Sequence, residues 1–347
     1  MTVHVVTDSS ACLPASLAEE HNITVLDLHT FQEGEDQTTA GLSALELAAT
    51  YARLLERGGD AGVVAIHLSK ELSATWSNAV SAAGVFDGLV RIVDTNNIGM
   101  VLGYAAVQAA KAANNGADVA EVARVAQRTI AESSLWLYVH RLDNLRKGGR
   151  ISAGQTLITT ALAIKPIFQL TDGKLILAAK TRTQAKAMDK LVDTVHMAVV
   201  EEAMRATRVA GVGGDATTSQ PDNSQSGGRE SAASGGDATP AEDANHSVVE
   251  PILTDVVSDS PAPRTVRIAI HHHEALEVAS DLMRRVEEKI AQTRRVGKFQ
   301  PKRNGKGEPL VWEEFPEVVL DMVDLSPELS IHAGPGAVGV VVAKTED

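Results

Sequence analysis

Residues 145–151 (LRKGGRI) set two glycines between the basic side chains Lys147 and Arg150. Glycine lets backbone amides come close to a bound group, and the two cations supply the charge that an anion needs. Ser152 follows as a candidate N-cap, so the positive end of the next helix would favour the same anion. A second chemistry is open to Ser73, His332 and Asp8, which need only meet in space to form a hydrolase relay. That serine lies in Glu71-Leu72-Ser73-Ala74-Thr75, without the G-x-S-x-G elbow of the α/β-hydrolases. His271-His272-His273 offers imidazoles to a metal. Three adjacent residues at a strand end cannot all point one way, so a solvated turn is expected there and no metal. Gly334-Pro335-Gly336-Ala337-Val338-Gly339 matches GxGxxG, but too little chain follows it for the helix, strand and acid of a dinucleotide fold. These glycines predict a turn at a ligand or a sheet corner.

The elements that must position these residues alternate strand and helix over the first 150 or so positions. Residues 3–6, 23–29 (ITVLDLH), 62–68, 89–93 and 135–139 predict strands. Ser43 and Glu46 form a capping box, and Leu47, Tyr51, Leu54 and Leu55 recur at helical spacing up to Gly58-Gly59. Helices are expected over 101–113 and 119–131, with an Ala-rich one between the strands at 62–68 and 89–93. Strands joined by helices imply a mostly parallel sheet covered on both faces, with ligands gathering beyond its carboxyl ends. Those ends carry Asp8-Ser9-Ser10, residues 69–73 and Asp94-Thr95.

Downstream, residues 152–164 form an apolar helix-like run that stops at Lys165-Pro166. Residues 167–178 read as a hairpin around Thr171-Asp172-Gly173-Lys174, and 182–204 as a long amphipathic helix. A strand (266–270), a helix (274–290), a basic loop (294–306) and a strand-turn-strand complete the chain. The expected fold class is α/β in two domains. Residues 1–148 form a mostly parallel α/β/α sandwich, and 149–347 form a mixed-sheet α/β domain interrupted by a low-complexity insertion at about 207–263. That insertion is rich in Ala, Gly, Ser, Thr, Asp and Pro, and predicts disorder.

Composition narrows the function. The chain has 347 residues, a formal charge of −13 and only 3% aromatics, so its cores must be aliphatic. Nine acids against two bases between residues 208 and 259 put about −7 of that charge in the insertion, away from Arg150. The acidity argues against nucleic acid, and no apolar run suits a membrane span. With Cys12 as the sole cysteine and no signal-peptide pattern at residues 1–14, a cytoplasmic protein without intrachain disulfides is expected.

Several segments in order resemble the DegV family: Asp8-Ser9-Ser10 after the first strand, LSATWSNA at 72–79, VDT at 93–95, LDNLRKGGRIS at 142–152, IKPIF with KTR within 164–182, and IHAGPGAVGVV at 331–341. The resemblance covers nearly the whole chain apart from the insertion and the basic loop. It implies a two-domain α/β protein that buries one long-chain fatty acid between the domains and holds its carboxylate with polar side chains. No cofactor is implied. In bacteria with fatty acid kinase, such a protein is a carrier that presents the carboxylate to a separate kinase subunit for acyl phosphate formation.

By matching motifs, the carboxylate-site residues implied are Thr39, Ser73, Arg150 and His332, with Thr75 a weaker candidate. The family's threonine motif stands here as Thr39-Ala40-Gly41-Leu42-Ser43, which keeps its threonine and last serine and changes the middle. Hydroxyls and a cation suit a carboxylate, each charge-assisted hydrogen bond being worth roughly 1.5–3 kcal/mol. About 15 methylenes at about 0.8 kcal/mol each give about 12 kcal/mol gross, so the tail supplies most of the affinity and the head sets orientation. Residues 157–164 and 167–170 are the aliphatic stretches expected to touch that tail. The competing function is a Ser73/His332 hydrolase of acyl esters.

Overall fold

The computed structural model describes residues 2–34, 36–151, 164–212, 264–299, 310–312 and 314–346. Its first strands are β1 (His4–Asp8), β2 (Thr24–Leu26), the pair β3 (His29–Glu33) and β4 (Asp36–Ala40), β5 (Val63–His67) and β6 (Val90–Asp94). A sheet of order β2-β1-β5-β6 is parallel throughout. All five residues of β5 are buried, as a strand covered on both faces requires. The early helices are α1 (Ala15–Glu20), α2 (Ala44–Gly58), α3 (Thr75–Ala83), α4 (Met100–Asn114) and α5 (Val119–Ala131). Ser43 and Glu46 do form the expected capping box on α2, and Gly59 ends it in the left-handed conformation.

A second, six-stranded sheet has the order β13-β10-β14-β7-β8-β9. Its members are β7 (Ser133–Tyr138), β8 (Lys165–Thr171), β9 (Lys174–Thr181), β10 (Thr265–His273), β13 (Val318–Asp324) and β14 (Ala337–Thr345). Only β10 and β13 pair in parallel, so the sheet is mixed. A short pair, β11 (Lys298–Phe299) and β12 (Leu310–Val311), lies outside it. The later helices are α6 (Asp143–Lys147), α7 (Gln184–Val212), α8 (Leu276–Val296) and α9 (Pro327–Ala333).

Strand alternation assigns the two faces of this sheet. Val338, Val340 and Val342 of β14 pack with Leu191 and Val195 of α7 and with Leu282 and Val286 of α8. Val341 and Ala343 join the core that runs through β1, β5 and α4. Helix α4 therefore has partners in both sheets, touching β1 and β5 as well as β7 and β14. Its buried Ala105, Ala106, Ala109 and Ala110 suit that position, because a side chain of one carbon lets two layers approach one helix. Among the described residues no helix is long and apolar enough to cross a membrane.

Five expectations change. The strand at 135–139 does not continue the first sheet; as β7 it pairs antiparallel with β14 and β8. The stretch 23–29 supplies only the three-residue β2, and a separate hairpin, β3–β4, follows it. The terminal strand-turn-strand contains α9 between its strands, opened by Ser326 and a proline in its first turn. Arg294 and Arg295, expected in a loop, form the last turn of α8. The helix expected to end at 204 runs on to Val212, and the rest of the insertion lies outside the described residues.

Candidate functional site

The carboxyl ends of β1 and β5 open into turns whose polar side chains are spoken for locally. Asp8 caps the single 3-10 turn Ser9–Ala11 by accepting from the Ser10 N–H. After β5, the Thr75 N–H donates to Ser73 Oγ at 3.2 Å, and the two hydroxyls stand 3.0 Å apart. Thr75 Oγ1 also accepts from the Leu42 N–H at 3.2 Å, tying this turn to the end of the β3–β4 hairpin. Gly41 sits between them. A Cβ there would lie 2.8 Å from Ser73 Oγ and 2.7 Å from Thr75 Oγ1, so a residue without a side chain is required for the two segments to meet.

Opposite this turn stand Thr39 of β4, His332 of α9 and Arg150, which follows the glycine pair after α6. Thr39 Oγ1 and His332 Nε2 are 2.9 Å apart although 293 positions separate them in sequence. The half-buried Arg150 guanidinium donates to the Gly148 carbonyl and, at 3.3 Å, to the Leu72 carbonyl. Burial and the Arg150 charge push the His332 imidazole down to about 4, so it is neutral at pH 7. The site's formal cation is therefore Arg150, and His332 does not join it as an imidazolium.

Thr39, Ser73, Arg150 and His332 all border one cavity of about 140 Å³, with Thr75 buried one layer behind Ser73. That volume is some tenfold what a single water needs, so the space is not a packing defect. Leu28, Leu68, Leu72, Ile98, Leu137 and Leu175 give the remainder of the wall a largely aliphatic character. The expected tail stretch 167–170 is not part of this wall. Ile167 packs toward α7, and Phe168 and Leu170 lie in the core shared with β1, because successive strand residues face opposite layers. The other stretch, 157–164, lies outside the described residues except at Ile164.

The glycine pair has a different task from the one its sequence suggests. The amides of Gly148, Gly149 and Arg150 donate to the carbonyls of Asn144, Arg146 and Leu145, closing the end of α6. Gly149 takes φ +72°, the left-handed conformation that such a cap favours. These amides are occupied and hold no anion; what the pair does is aim Arg150. The helix expected to begin at Ser152 lies outside the described residues.

The hydrolase relay is not assembled. Asp8 belongs to His67, whose Nδ1 lies 3.0 Å from its Oδ2, while His332 pairs with Thr39 and Ser73 with Thr75. The histidine triplet is not a solvated turn either. It lies in β10, where His271 is 1% exposed and its Nε2 accepts from the Met100 N–H at 3.2 Å. The expected Gly-rich turn is present at Gly334-Pro335-Gly336, next to His332, and β14 follows it.

One polar wall residue escaped the sequence reading. Glu328, 3% exposed, lies one turn before His332 on α9. Its Oε1 accepts from Ser9 Oγ at 2.8 Å and Ser326 Oγ at 2.7 Å. The i, i+4 spacing to His332 would have flagged it, had Ser326-Pro327 been read as a helix start.

A family model described as uncharacterised protein, DegV family, matches residues 29–222, more than half of the chain. The chain belongs to the DegV family. A DegV domain-containing protein of Corynebacterium glutamicum is 54% identical over 198 residues, which are 57% of this chain and 72% of that one. The crystal structure of DegV family protein Cg2579 from C. glutamicum superposes with a TM-score of 0.71 at 36% identity, covering 100% of this chain and 98% of that one. A fatty acid-binding DegV family protein from Thermus thermophilus shares the fold, with a TM-score of 0.67 at 18% identity over 99% of this chain and 100% of that one. The α/β architecture, a parallel sheet beside a mixed one, is thus that of DegV relatives.

Proposed function

We propose that this DegV-family chain carries one long-chain fatty acid, with the tail in the aliphatic cavity and the carboxylate on Thr39, Ser73, Arg150 and His332. The observation that supports this most is the polarity of the cavity: leucines and isoleucine along the wall, then two hydroxyls, a guanidinium and a neutral imidazole together at one side. Ser73 Oγ accepts from the Thr75 N–H, and with Thr75 as the donor between the two hydroxyls the Ser73 proton is left for a carboxylate oxygen. Arg150 supplies the charge that makes these hydrogen bonds strong. On this reading the protein is a cytoplasmic carrier without chemistry of its own. A separate kinase subunit, meeting the presented carboxylate, performs phosphoryl transfer to acyl phosphate.

Denaturing extraction of purified protein followed by mass spectrometry is expected to yield a long-chain fatty acid in near one-to-one ratio. Folded protein that repeatedly yields no acyl chain would overturn the reading. Arg150→Ala is expected to weaken acyl binding about ten- to a hundredfold, the worth of one charge-assisted contact. Its thermal midpoint should move by only a few degrees, since the guanidinium's described bonds go to the Leu72 and Gly148 carbonyls. Unchanged affinity would remove Arg150 from the head-group site.

A further inference from the structure

Glu328 is the one acidic side chain among the described residues of the cavity wall, and a fatty acid of plain hydrocarbon tail gives it nothing to do. Both serine hydroxyls that reach it donate to Oε1. Among the described residues Oε2 has no hydrogen-bond partner. A carboxylate oxygen bordering an aliphatic cavity is costly unless the occupant brings a donor. The two serines also fix the carboxylate from opposite ends of the chain, Ser9 after β1 and Ser326 before α9, so this wall carboxylate is held in place before any ligand arrives.

We infer that Glu328 selects an acyl chain that carries a hydroxyl on its carboxyl-proximal part. The hydroxyl proton is donated to Glu328 while the head group stays with Arg150 and Ser73. The proximal position follows from helix geometry: Glu328 and His332 are four residues apart on α9, about 6 Å along its axis at 1.5 Å per residue. A hydroxyl is the fitting donor, because an ammonium would add a second buried cation beside Arg150 and among leucines. An unsubstituted chain would instead set methylenes against Oε2, which then loses its water and gains no partner.

This inference rests on the fatty acid reading, and one experiment separates the two. Displacement of a fluorescent acyl probe from the delipidated full chain is measured with acids of equal length, one unsubstituted and the others with a hydroxyl stepped carbon by carbon from the α-position. At least one hydroxy isomer is expected to bind about tenfold or more tightly than the unsubstituted acid. Glu328→Leu should erase that ratio while leaving the unsubstituted acid bound as well or better. Glu328→Gln, which keeps an acceptor for both serines and hence the fold, should reduce the ratio several-fold. Wild-type protein that binds every hydroxy isomer no better than the unsubstituted acid overturns the inference alone. So does a ratio unchanged in both variants. Failure of every acid to bind overturns the carrier reading and this inference with it.

Discussion

Asp8→Ala is expected to lower the free energy of unfolding by about 3–5 kcal/mol, the cost of stranding several buried donors at once. Asp8 is fully buried and accepts from the Ser10 N–H at 3.1 Å, the Ser10 hydroxyl at 2.5 Å and the Leu68 N–H at 3.0 Å. Its Oδ2 also lies 3.0 Å from His67 Nδ1, and His67 Nε2 lies 3.0 Å from the Tyr51 hydroxyl. With the Tyr51 hydroxyl donating to Nε2, His67 donates through Nδ1 to Asp8. Burial pushes the Tyr51 hydroxyl far above its ordinary range, with the Asp8 charge adding to the shift, so Tyr51 stays a donor at any ordinary pH. Alanine would leave two backbone amides, a hydroxyl and an imidazole N–H in a dry core. Asp8→Asn keeps one acceptor oxygen and should cost about 1–2 kcal/mol less. Urea denaturation at pH 7 measures both. A loss under about 1 kcal/mol for Asp8→Ala would show that water takes over these donors. The acyl site should weaken in parallel, because the Ser9 hydroxyl on this same turn accepts from the N–H of Leu28, which lines the cavity.

How much of this was legible in the sequence depends on the range of the forces involved. Local signals read true: Ser43 caps α2, the 119–131 helix has those bounds with Asp118 as its cap, and Thr171-Asp172-Gly173-Lys174 turns the β8–β9 hairpin. The hairpin β3–β4 did not announce itself, because HTFQE and DQTTA bury too little to show an apolar alternation. Which sheet β7 joins was also hidden, since the apolar run at 135–138 suits the buried interior of either sheet. The four polar site residues were gathered by their resemblance to family motifs. No local rule links Thr39 to His332, and their contact is a property of the closed fold. Charge states failed for the same reason. A free imidazole titrates near 6.5, but burial and the Arg150 charge that makes the site attractive to an anion keep His332 neutral. Glu328 was missed because a seven-residue helix between two strands carries little periodicity.

The second large effect expected is acid lability. His196, His271 and His332 are each pushed down to about 4, chiefly by burial. A histidine whose folded value is depressed takes up a proton on unfolding between about pH 4 and its free value near 6.5. Stability is therefore complete above pH 6.5 and falls as pH drops toward 4. His271 explains the physics best. Its Nε2 accepts the Met100 N–H at the first turn of α4, so a proton there would break that bond and set a charge against the positive end of the helix. The neighbouring His272 opposes protonation further. For this fully buried imidazole alone the loss by pH 4 is about 3 kcal/mol. Urea denaturation stepped from pH 7.5 to 5 should show the midpoint falling steadily below pH 6.5, with a slope matching roughly three protons taken up per molecule. His271→Gln keeps an acceptor near the Met100 amide and should remove about one of those protons. A midpoint that stays level from pH 7 to 5, or a slope indifferent to that substitution, would mean that these histidines are hydrated in the folded protein, and the dry seating of His271 on the first turn of α4 would have to be abandoned.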